Sequence, residues 1–111
     1  MTNDLRDPNK AVDFIIQNAS KFAQARADRI YLEEFRKSQK ALLMKASPET
    51  SAVAQERDAY AHPDYIELLE GLRTAVETEE TLRWNLVAAQ ARIEIWRTQE
   101  ASNRVQDRSM R

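Results

Sequence analysis

The chain has 111 residues, 42% hydrophobic and 32% charged, with one glycine, three prolines and no cysteine. That length holds one domain rather than two, and the apolar content argues against wholesale disorder. The lack of cysteine excludes disulfides, thiolate metal sites and cysteine nucleophiles, and a net charge of -1 is not the global basicity of a dedicated DNA binder.

β-Rich folds of this size need more turn residues than one glycine and three prolines supply. Abundant Ala, Glu, Arg, Leu and Gln point instead to long helices. The expected fold is all-α: two long antiparallel helices joined by a short one, a helical hairpin or bundle completed by oligomerisation. Residues 1–111 read as a single helical domain, with 1–7 and 104–111 as frayed tails.

Each proline marks a helix start. Asp7-Pro8 offers an N-cap and a first-turn proline, and predicts a first helix over about 8–46. Ser47-Pro48-Glu49 repeats the pattern and predicts a short helix over about 48–61. His62-Pro63-Asp64 starts the third, over about 63–103. The residue before each proline is pushed out of helical geometry, which ends the preceding helix.

In the first helix the apolar pattern Val12, Ile16, Ala19, Ala23, Ala27, Tyr31, Phe35, Ser38, Leu42 and Ala46 steps mostly by four. Phe14, Ile15 and Phe22 lie beside it. Its beat mismatches that of the third helix, which predicts a bend near 28–32 or a change of partner along the helix. The third helix carries a heptad seam: Tyr65, Leu68, Leu72, Ala75, Glu79, Leu82, Leu86, Ala89, Ile93 and Trp96. Glu79 interrupts it, and is expected to lean to solvent or meet an arginine of the first helix.

The stretch RWNLVAAQARIEIWR (83–97) places two tryptophans among arginines. On a helical wheel they fall about 120° apart, so they form no common stacking platform for bases. Trp96 belongs to the seam. Trp84, Val87, Ala88, Ala91 and Ile95 form a second apolar face, the candidate interface for self-association or a protein partner.

Charge is distributed unevenly along the chain: net +3 over 1–47, -7 over 48–82 and +3 over 83–111. Arg29, Arg36 and Lys40 lie near one line of the first helix, and Arg97 and Arg104 sit near the far end of the third. These five are the candidate nucleic-acid contacts, through phosphates. Glu33, four residues from both Arg29 and Lys37, favours internal ion pairs instead. His62 is the only histidine and reads as a cap or loop residue. Glu77, Glu79 and Glu80 lack the Glu-x-x-His spacing of a di-metal site. No phosphate loop or nucleophile–base pair is present. The expectation is therefore a non-enzyme with no catalytic residues, metal or cofactor. MTNDLRDPNK has no apolar signal core, and no apolar run is long enough to span a bilayer, so a soluble cytoplasmic protein is expected.

The segments EEFRKSQKALLM (33–44), ERDAYAHPDYIELLEGLRTA (56–75) and LRWNLVAAQARIEIWRTQEASNR (82–104) resemble small helical bacteriophage proteins encoded near homologous-recombination or single-strand-DNA genes. The resemblance covers roughly two thirds of the chain and carries over no assigned residues. It implies a phage accessory protein, in the host cytoplasm, that binds a protein partner in DNA recombination, replication or host takeover. An oligomeric nucleic-acid binder and a structural virion or assembly component are the other two readings.

Overall fold

A computed structural model describes residues 7–110 of the chain. Three helices occupy nearly all of them: α1 (Pro8–Ala46), α2 (Ala52–Ala61) and α3 (Pro63–Ser109), with no strand among the described residues. The two long helices joined through the short one make an all-α helical hairpin. Of the tails expected at 1–7 and 104–111, residues 1–6 and 111 lie outside the described residues.

Local chemistry sets each boundary. Asp7 accepts the Asn9 N–H at 2.9 Å, closing an orphan donor at the start of α1. At the other end of α1, Ser47 stands before Pro48, and its hydroxyl donates to Asp58 of α2 at 2.6 Å. The same oxygen accepts the Glu49 N–H at 3.2 Å. This turn delays α2, which starts at Ala52 rather than near Pro48. Ser51 is the true N-cap, accepting the Ala54 N–H at 3.2 Å. His62 ends α2 in extended geometry and caps α3, its Nδ1 accepting the Asp64 N–H at 3.0 Å. α3 then runs to Ser109, six residues past the expected end near Asn103. After Gly71 it meets no further glycine or proline, so nothing in the sequence stops it earlier.

The described residues divide into two compact units: 23–80, and 7–22 together with 81–110. In the first, α3 turns Tyr65, Leu68, Leu72, Ala75 and Glu79 inward; in the second it turns Leu82, Leu86, Ala89 and Ile93 inward. This is the expected seam. Trp96, its last member, remains 43% exposed.

For α1 the expected face is wrong. Val12, Ile16, Ala19, Ala23, Ala27, Tyr31, Ser38, Leu42 and Ala46 are all exposed, Ile16 by 70%; only Phe35 is half-buried. Through residue 32 the inward line is Ala11, Ile15, Asn18, Phe22, Ala25, Arg29 and Leu32, alternating steps of four and three, and beyond it Phe35, Gln39 and Leu43 are half-buried. Over 11–32 that is the same heptad period as α3, so the mismatch that called for a bend or a change of partner does not arise there. Asn18 can sit inward because its amide donates to the Phe14 carbonyl at 2.8 Å.

The core is thin. Its buried hydrophobic residues are Ala11, Ala25, Ala59, Tyr65 and Ala89, and no large side chain among the described residues is fully enclosed. Small side chains occupy the closest approaches and larger ones pack half-buried around them.

Gly71 lies in the α3 interior without a positive φ, and a Cβ there would meet no atom within 4 Å. Glycine costs backbone entropy at such a position. Gly71→Ala should therefore stabilise the protein by ~0.5–1 kcal/mol, read as a higher urea midpoint with unchanged slope.

Candidate interaction surfaces

Two positions of the Ala23–Glu80 unit bring opposite charges into its seam. Glu79 is 6% exposed, and Arg29 reaches it from α1. The guanidinium binds it in a fork: Nε donates to one carboxylate oxygen and Nη2 to the other, the latter at 3.1 Å. Nη1 donates to both oxygens of Glu33 at 3.0 Å. Glu79 thus meets an arginine of α1, one of the two outcomes its seam position allowed. The two carboxylates, Glu79 foremost and then Glu33, raise the Arg29 pKa, and the charge is permanent. A planar fork suits two carboxylates better than an ammonium would.

This arrangement removes Arg29 from the basic row. Lys40, also in that row, lies 3.6 Å from Glu56 and 4.8 Å from the Tyr60 ring centre. Tyr60 first, and Glu56 after it, hold its pKa above the ordinary lysine range. Tyr60 in turn meets Tyr65 edge-on at 5.2 Å, tying α2 to the start of α3. Arg36 is exposed on α1. In the other unit, Arg97 pairs with Glu94 at 3.4 Å and Arg104 is exposed. Arg29 and Lys40 are thus held by carboxylates of their own unit, and Arg97 by one a turn away.

The second apolar face of α3 is open. Trp84 is 58% exposed, Ile95 49% and Val87 38%, and Ala88 and Ala91 are exposed between them. Arg83 lies over the Trp84 ring at 4.8 Å. The wheel placed these five residues correctly away from the seam. Trp96, Ile95, Arg92 and Gln99 line a shallow depression of about 200 Å³. A larger one, about 540 Å³, lies on α2 between Val53, Glu56, Arg57, Tyr60 and Ala61. The sequence reading missed a further open face on α1, that of Val12 and Ile16. Their apolar character had argued for burial, and only the heptad spacing of their neighbours could have reassigned them.

Among the described residues no group of three metal-ligating side chains converges, and no helix is long and apolar enough to cross a membrane. The chain matches no protein-family model, no curated protein and no solved structure.

Removing one partner of a buried ion pair strands the other, whereas replacing both with apolar groups does not. Glu79→Ala should lower the thermal midpoint by several degrees, and Arg29→Met with Glu79→Leu should recover most of that loss. Circular dichroism melts of the two variants measure the difference.

Proposed function

We propose that this is a non-enzymatic helical interaction protein that acts by binding another protein. The observation that carries this reading is the open Trp84–Ile95 face of α3, an aromatic and aliphatic stripe of the type that anchors protein interfaces. The phage-like segments at 33–44, 56–75 and 82–104 support a phage-encoded accessory protein of the host cytoplasm. Its partner would then belong to DNA recombination, replication or host takeover. The thin core supports a chain that works as a homo-oligomer.

A tagged protein recovered from infected cells should bring down a protein of recombination or replication, identified by mass spectrometry. Trp84→Glu and Ile95→Glu should each lower that recovery at least tenfold. Recovery of intact particles instead would favour a virion or assembly component and reject this reading.

The alternative, nucleic-acid binding, draws support from exposed Arg36 and Arg104. It loses Arg29 and Lys40, whose charges already face Glu79, Glu33 and Glu56. Neither single- nor double-stranded DNA should shift in a gel at ~50 mM salt, where phosphate contacts are strong. A shift that fades steeply with added salt would reverse the order of the two readings.

A further inference from the structure

The outer face of α3 has a spacing of its own. Thr81, Trp84, Ala88, Ala91, Ile95, Thr98, Ser102 and Val105 alternate steps of three and four along the helix, and every one is exposed. Leu82, Leu86, Ala89 and Ile93 alternate in the same way on the inner face. One helix therefore carries two heptad seams, and a heptad seam is matched by another helix.

The chain exposes surface enough for that helix to be a second copy of itself. The chain exposes 8596 Å². A compact monomer of 12.9 kDa exposes about 6300 Å². The excess, roughly 2300 Å², lies within what each chain of an obligate homodimer buries, about 1,000–2,500 Å².

The pattern of side-chain sizes names the occupant. Read from residue 81 to 98, the outer seam runs Thr, Trp, Ala, Ala, Ile, Thr. It is a palindrome in size: small, large, small, small, large, small. A two-fold axis between residues 89 and 90 sets Trp84 against Ile95, Ala88 against Ala91 and Thr81 against Thr98, twice over. Such self-complementarity is the requirement of an isologous interface. The central alanines let the two helices approach closely, and the bulky residues close over them on either side. No like charges meet within these layers, because Arg92 falls beside Asn85 and Glu94 beside Val87. A parallel pair would set Trp84 against Trp84 and Ile95 against Ile95, crowding one layer and leaving the other smaller, where the antiparallel pair makes the two large layers equal.

We infer that this face is occupied by the same segment of a second copy of the chain, running antiparallel, with Trp84 of each copy packed on Ile95 of the other. The inference rests on the interaction-protein reading: it assigns the Trp84–Ile95 face to the homo-oligomer and makes the capture of another protein depend on the assembled pair. The absence of native cysteine makes the register directly testable. Thr81→Cys and Thr98→Cys variants of the full chain are oxidised separately and as a mixture. In the antiparallel pair, two copies of residue 81 lie about 25 Å apart, at 1.5 Å per residue, beyond the ~7 Å limit for a disulfide.

The expected result is a covalent dimer in the mixture at least tenfold more abundant than in either variant alone. Sedimentation of the unmodified chain should give twice its 12.9 kDa mass. Trp84→Glu should halve that mass while retaining helical circular dichroism. Equal cross-linking of each variant with itself overturns the inference, as does a monomeric mass at ~100 μM. A monomer that still recovers a protein partner from infected cells overturns this pairing alone. A dimer that recovers none overturns the functional reading and leaves the pairing intact.

Discussion

Everything in this hairpin depends on a shared beat. Over 11–32 of α1 and 65–93 of α3 residues turn inward in alternating steps of three and four, so each seam keeps facing its neighbour turn after turn. Because the spacing is regular, the positions themselves need not all be oily. Asn18 and Arg29 occupy inward places on α1, and Glu79 one on α3, each with its polar atoms engaged by the surrounding chain. Alanine fills most of the tightest places, which brings backbones close but removes little apolar surface from water.

A consequence is that much of the hydrophobic content stays outside. Val12, Ile16, Tyr31, Leu42, Trp84 and Ile95 are all more than a third exposed. A folded chain of this kind leaves apolar surface in water that association with a partner would bury. That links the thin seams to the interaction role: the same residues that fail to build a core are available to a partner.

The proline punctuation, the three helices and the α3 seam as far as Ile93 were legible in the sequence, because capping chemistry and heptad spacing agree there. The open Trp84 face was legible for the same reason: once the seam is fixed, its opposite side follows from geometry. α1 was misread because Val12 and Ile16 sit one residue after the seam positions Ala11 and Ile15, and burial was assigned by oiliness instead of spacing. The start of α2 was hidden by a tertiary contact, the Ser47 hydroxyl bonded to Asp58 eleven residues on. The basic row looked available from sequence because the reach of Arg29 to a carboxylate fifty residues away has no local signature.

Arg29 has a consequence beyond its bonds. Repeating heptads are ambiguous, since sliding one helix of the hairpin by seven residues returns apolar side chains to apolar positions. The charge pair is not repeated. A slide by one heptad would leave the Arg29 guanidinium opposite Leu72 or Leu86, and Glu79 opposite Phe22 or Arg36. Glu33 travels with Arg29 in any slide, but the pair would then face a leucine in place of its buried carboxylate, and in one direction Glu79 would be stranded against Phe22, at a cost far above that of the misplaced alanines. The ion pair acts as an index mark, selecting one alignment among several that hydrophobic packing alone would accept.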